Sequence, residues 1–282
     1  MSKSKLSILV VDDNPVNQLY LKTLLAQNGH SVTIASDGEE AVSLFCQHSF
    51  DLIFMDVQMP GTDGFEAAIR IREIEASADT PRQRTPISAL SAYPLREETH
   101  RKEIVHFDYY LTKPVTKQMV NNAIERLIHS DPPYHGQEPF NLKLDSDAEL
   151  GRLSHDQSTQ NQQNTSNRET PYLETLLHEF RNDQADLKIM LEMALKELPE
   201  NLSQLDFCFR TQELQKGCRE AHSVANVVGI LHAAPERDLA LRVEKLLQTG
   251  NWERARSDYV KLHQQVSELL NIYRFLLARE LS

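Results

Sequence analysis

The chain has only three cysteines in 282 residues, Cys46, Cys208 and Cys218. An odd number excludes a complete disulfide framework and their spacing gives no metal-ligand pair, so each is expected as a small buried apolar residue. Basic excess is missing too: the formal net charge of −11 disfavours a nucleic acid as the main partner, because a phosphate backbone is held by clustered Lys and Arg. No run approaches the roughly 20 apolar residues that cross a bilayer. The start Met1-Ser2-Lys3-Ser4-Lys5 leads into a strand-like segment instead of a signal-peptide apolar region. These absences point to a soluble, cytoplasmic protein without membrane insertion. What is present is ordinary, 40% apolar and 25% charged, and long enough for two globular cores.

The first half alternates short β-branched runs with helical spacing. Leu6 to Val11 reads as a strand buried on both faces, and Leu19, Thr23 and Ala26 with Leu21, Leu24 and Leu25 follow as a helix stopped by Asn28-Gly29. Further strands are expected at 31–35, 51–55, 86–90 and 109–111, and further helices at 39–47, 64–75, 96–104 and 116–128. Strands alternating with helices imply βαβ units, hence a doubly wound, five-stranded parallel sheet of flavodoxin-like type. We place this unit at 5–130.

Residues 131–170 open with Pro132-Pro133 and turn polar, with no large apolar residue between Leu153 and Thr170. Such a stretch cannot offset its own ordering entropy and reads as a flexible linker between two independent bodies. From Pro171 to Ser282 the pattern is helical throughout, which predicts a separate all-α four-helix bundle with a short leading helix and a kink or break at Pro199. The expected helices are 172–181, 183–206, 210–232, 235–249 and 251–279. Within 214–232, Leu214, Cys218, Ala221, Ala225 and Val228 form a core-facing stripe, while Arg219, His222, Asn226 and Gly229 share another face, where Ala225 and Gly229 leave little bulk around the imidazole.

In an open parallel sheet, functional groups gather beyond the carboxyl ends of the strands. Here those ends carry Asp12-Asp13 and Asp56, carboxylates that repel one another unless a cation sits among them, and oxygen ligands of this kind suit Mg²⁺. Ser91 follows the fourth strand and Lys113 the fifth. A hydroxyl and an ammonium converging on a carboxylate and a metal make a site for an incoming phosphoryl group. Asp56 would be the nucleophile, Lys113 would neutralise the phosphoryl charge, and Ser91 would donate to it. Taken alone, the Asp12-Asp13 doublet could instead cap the following helix.

Ile8-Leu9-Val10-Val11-Asp12-Asp13-Asn14, Met55-Asp56-Val57-Gln58-Met59-Pro60 with Asp63-Gly64, and Leu111-Thr112-Lys113-Pro114 together resemble a bacterial response-regulator receiver domain. The resemblance implies that Asp13, the Asp56 carboxylate and the Gln58 carbonyl hold Mg²⁺, with Asp12 reaching it through water. It also implies that Ser91 swings toward the phosphoryl group and Tyr110 rotates into the space it leaves, biasing partner binding as a population shift. Gln58 and Tyr93 occupy positions that influence water access in similar domains. The sequence departs from the pattern at His106, where glycine is frequent, and in a polar insertion at Ser77–Thr85.

Ala221-His222-Ser223-Val224, followed by Ala233, Leu239 and Val243-Glu244, resembles a histidine phosphotransfer domain over 171–282, the arrangement found in hybrid sensor kinase tails. The family's His-Ser-Leu-Lys-Gly is here His222-Ser223-Val224-Ala225-Asn226, and His232 stands where another glycine is common. The resemblances imply a two-component phosphorelay protein: Asp56 is loaded by a sensor histidine kinase, and His222 exchanges phosphate with this or another receiver domain or phosphotransfer protein. The alternative is a phosphorylation-controlled interaction or dimerisation protein with a degenerate helical output module, favoured by the missing lysine and glycine. A DNA-binding output is disfavoured, since 14 Lys and Arg in 171–282 stand against 17 Asp and Glu without a clustered basic helix. No ATP-binding kinase box is visible, so the chain is not expected to be an enzyme by itself. It needs a partner kinase or forms the tail of a longer hybrid kinase.

Overall fold

A computed structural model describes residues 5–77, 84–92, 105–128, 170–181 and 183–279. Five parallel strands, β1 (Ser7–Val11), β2 (Ser31–Ala35), β3 (Leu52–Asp56), β4 (Ile87–Ser91) and β5 (Tyr109–Thr112), lie in the order β2-β1-β3-β4-β5. Between and after them come α1 (Pro15–Gln27), α2 (Gly38–Gln47), α3 (Gly64–Ser77) and α4 (Lys117–Ile128). The doubly wound sheet is therefore as the alternation of runs predicts. The helix expected at 96–104, most of the polar insertion, the linker and Tyr93 lie outside the described residues.

Strand alternation divides the apolar side chains between two faces. Ile8, Val10, Leu52 and Phe54 pack with α1 and α4, while Leu9, Val11, Ile53 and Met55 pack with α2 and α3. Both faces are covered, so the strands read as continuous apolar runs instead of alternating ones. Cys46 corrects an expectation: it is exposed on α2, because Ala41, Val42 and Phe45 form that helix's buried face.

The helical half consists of α5 (Thr170–Glu179), α6 (Gln184–Thr211), α7 (Leu214–Ile230), α8 (Ala234–Gln248) and α9 (Trp252–Arg279), packed as a bundle. Of the kink or break expected at Pro199, the break does not occur: α6 runs through the proline. Leu198, Leu202 and Leu205 are buried on one side of the helix, so packing holds the segment across the one backbone bond that proline removes. Tyr259 and Tyr273 donate from α9 to the carbonyls of Leu202 and Leu231, both at 2.9 Å, fastening it to α6 and to the end of α7.

The stripe expected on α7 holds at Ala221, Ala225 and Val228, but Leu214 is exposed at the helix start. From Val224 to Ile230 every residue of α7 is buried. The cause is position: α7 packs on α6 and α8 and also against α1 of the sheet-bearing half. One continuous apolar cluster joins the α1 side of the sheet to the bundle through Tyr20, Leu21, Val115, Phe180 and Ile230, where separate bodies were expected.

Phe54 on the central strand β3 is fully buried. Phe54→Ala is expected to lower the unfolding free energy by roughly 3–5 kcal/mol. Urea denaturation checks this, and a loss too small to resolve would contradict the described core.

Candidate phosphoacceptor site

Asn14 opens α1. Its Oδ1 accepts from the backbone N–H of Val16 and Asn17 at 2.9 and 3.1 Å, and Pro15 follows at the first helical position. The cap is thus Asn14, and the preceding doublet is left for other work. Asp12 is fully buried and held in place: its Oδ1 accepts from the Asn14 N–H and from Asn17 Nδ2, both at 2.9 Å.

At the end of β3, Asp56 is almost fully buried, and its Oδ1 accepts the Gln58 N–H at 3.0 Å. The chain then turns back over the aspartate. A Cβ added at Gly64 would lie 2.1 Å from the Asp56 carbonyl oxygen, so only glycine lets α3 begin there.

Lys113, after β5, brings the separated groups together. Its Nζ donates to Asp12 Oδ2 at 2.8 Å and to Asp56 Oδ2 at 2.6 Å, inside a pocket where the lysine side chain is only 8% exposed. Burial alone would lower the ammonium's pKa, yet Asp12 and Asp56 hold it above the ordinary lysine value. Burial raises the Asp56 pKa, opposed by Lys113 and reinforced by Asp12.

Asp13 completes the cluster: Asp12, Asp13 and Asp56 each offer an oxygen, all within 4.8 Å of one another. Asp13 is the exposed member of the cluster, between the buried Asp12 and Asp56. Burial of its carboxylate, then the charges of Asp12 and Asp56, push its pKa up to about 7 against the pull of Lys113. One ammonium does not balance three carboxylates, and the donor set suits a hard divalent cation. Ser91 ends β4 beside the site and is buried; Gln58 is exposed at the loop after Asp56. Tyr110 is half-buried, its ring 5.6 Å from that of Phe107, and burial followed by the charge of Asp108 raises its pKa. His106 uses its carbonyl to accept from Arg72 Nε at 3.0 Å.

His222 lies elsewhere, on α7, and is not in the open setting that its neighbours predicted. Its side chain is 10% exposed, with Nδ1 3.1 Å from Glu244 Oε2 on α8 and Nε2 buried without a hydrogen-bond partner among the described residues. The ring lies against α8 because Glu244 holds it there. His232 has φ 57, the left-handed region that glycine usually fills, and its Nε2 meets Glu179 Oε2 at 3.0 Å.

Sequence reasoning missed Asn14, Asn17 and Glu197. Asn14-Pro15 ahead of a helical run is a readable cap signal. Asn17 carries none beyond its spacing from Asp12. Glu197 accepts from Asn14 Nδ2 across the two halves, and burial raises its pKa, the charge of Asp12 adding to the effect.

Residues 8–125 match the response regulator receiver domain family. The first half of this chain is a receiver domain. Over 250 residues, 86% of this chain but 18% of the relative, it is 28% identical to the virulence sensor protein BvgS of Bordetella parapertussis. Over 117 residues it is 39% identical to the sensor protein GacS of Pseudomonas syringae, covering 42% of this chain and 13% of that protein. The chain thus spans less than a fifth of these relatives. Among solved structures, the receiver domain of the Pseudomonas aeruginosa sensor histidine kinase PA1611, with a magnesium ion in its active site cleft, is 33% identical, covering 45% of this chain and 100% of that one at a TM-score of 0.39. Among the described residues, no helix is long and apolar enough to cross a membrane.

Asp13 links this crowding to stability. Its folded pKa of about 7 exceeds the ordinary 3.8, so the protonated form favours the fold; that contribution is complete below 3.8 and is lost as pH rises through 7. Without a divalent cation, urea unfolding is expected to show lower stability at pH 8 than at pH 5, and Mg²⁺ to stabilise more at pH 8. Equal stability and no Mg²⁺ effect at either pH would contradict the crowding described for this cluster.

Proposed function

We propose that this chain is a phosphorelay protein whose receiver takes a phosphoryl group on Asp56 from a sensor histidine kinase and whose helical half, an HPt-like domain over 171–282, exchanges it through His222. The observation that carries the reading is the double contact of Lys113 Nζ with Asp12 and Asp56 beside the three-carboxylate cluster. A phosphoryl group entering there meets a fixed cation and a preorganised oxygen nucleophile, so little reorganisation accompanies the charge that develops.

The residues fit Mg²⁺. Asp13, the Asp56 carboxylate and the Gln58 carbonyl would hold the ion, with Asp12 reaching it through water; when bound, it supplies charge neutralisation for the transferring oxygens. In the transfer, an Asp56 oxygen bonds to phosphorus as the bond to the donor histidine nitrogen breaks, and the donor ring, protonated on its other nitrogen, leaves as neutral imidazole. Lys113 stays paired to the new acyl phosphate, and Ser91 donates to one of its oxygens.

On the helical half, Glu244 favours Nδ1–H in the neutral His222 ring, which leaves the lone pair on Nε2. That nitrogen would attack the aspartyl phosphate, releasing the Asp56 carboxylate. The buried His222 and the absence of the family's lysine at Ala225 favour a second reading, in which the bundle is a docking or dimerisation module without phosphate chemistry.

His222→Gln separates the two. In a transfer assay from a phosphorylated receiver, the relay reading expects a loss of roughly a hundredfold or more with the Asp56 site still loadable. Unchanged transfer would leave the docking module as the better account. Asp56→Asn is expected to abolish labelling of the receiver half.

A further inference from the structure

Four side-chain contacts that α1 and its cap make with the helical half share one chemistry. Asn14, Tyr20, Thr23 and Gln27 are neutral donors on the receiver side, and carboxylates of Glu197, Glu179, Asp186 and Asp183 accept from them. Tyr20, Thr23 and Gln27 fall at three- and four-residue spacing, one face of α1, and α1 itself contains no acidic residue. The distances are 3.1 Å for Tyr20 to Glu179, 2.8 Å for Thr23 to Asp186 and 2.7 Å for Gln27 to Asp183.

The Asn14 end of this seam adjoins the phosphoacceptor mouth, where the Asn14 N–H also donates to Asp12. Pro114, next to Lys113, meets α7 so closely that a Cβ on Gly229 would sit 3.4 Å from the proline ring. Asp12, Asn17 and Lys113 share a cavity of about 20 Å³ with Asn226 and Ile230 of α7. Ala92 and Lys113 share another of about 10 Å³ with Asn226 and Arg237. Each has room for about one water, not for a phosphodonor.

We propose that the helical half is a resident cap on the phosphoacceptor mouth of its own receiver, held by the carboxylate seam on α1. A donor must bring phosphorus to about 3–3.5 Å from the attacking carboxylate oxygen. While α7 lies over the Lys113 corner, it blocks the donor's approach from that side and leaves only the exposed Asp13 edge. Loading from outside is therefore fastest in the fraction of molecules in which the seam has opened, and the observed rate rises with that fraction. The inference rests on Asp56 being the phosphoacceptor but not on any phosphate chemistry at His222.

Thr23→Glu sets a carboxylate against Asp186 and opens the seam; adding Asp186→Lys converts the repulsion to an ion pair and closes it again. The full-length chain is treated with acetyl phosphate and Mg²⁺, where Asp56 gains the P–O bond and acetate leaves. The cap expects roughly tenfold faster labelling in Thr23→Glu and a return to the wild-type rate in the double variant. Small-angle scattering of the same three proteins reads opening without phosphate, with a larger radius of gyration in Thr23→Glu alone; Gln27→Glu, facing Asp183, serves if that variant does not fold. Equal radii would overturn the docking, and equal labelling despite a larger radius would overturn the cap. Absence of labelling in every variant would instead remove the phosphoacceptor reading itself.

Discussion

The receiver's active end depends on Lys113 holding two carboxylates that are buried together. Asp12 and Asp56 arrive from different strands, and each would be costly in that setting without an opposite charge within hydrogen-bond reach. The ammonium stands for a single unit of positive charge, and Asp13 remains in excess. In the proposed function, that imbalance is what a divalent cation and a phosphoryl group would bring to balance.

Around this point the scaffold is stiff. Asn14 and Asn17 hold Asp12, the Gln58 N–H holds Asp56, and Gly64 allows the chain to fold back on the Asp56 carbonyl. The helical half reaches the same corner from outside through Asn226 and Gly229 on α7 and through Glu197 on α6. Chemistry at the mouth and contact between the halves are therefore physically joined, because Asn14 serves both as the cap of α1 and as a donor to Glu197.

Much of the receiver was legible because its strands are apolar on both faces and its candidate site residues stand at or just beyond their carboxyl ends. Asp12, Asp13, Asp56, Ser91 and Lys113 need only strand order to converge. The helical half was legible in its periodicity but not in its surroundings. The continuity of α6 through Pro199 reflects tertiary packing that local proline chemistry does not report, and the burial of α7 from Val224 to Ile230 reflects a second surface, α1, that lies far away in sequence. His222 was misjudged for the same reason: small neighbours suggested openness, whereas Glu244 draws the ring inward from a different helix.

In the proposed function, the three carboxylates and Lys113 act as a metal-assisted phosphoacceptor centred on Asp56. A crystal structure of the chain with Mg²⁺ and beryllofluoride tests that claim most directly. The expected result is beryllium bonded to an Asp56 oxygen, the cation among Asp12, Asp13 and Asp56, and Lys113 turned to a fluoride. An empty pocket with Lys113 still bridging Asp12 and Asp56 would contradict it.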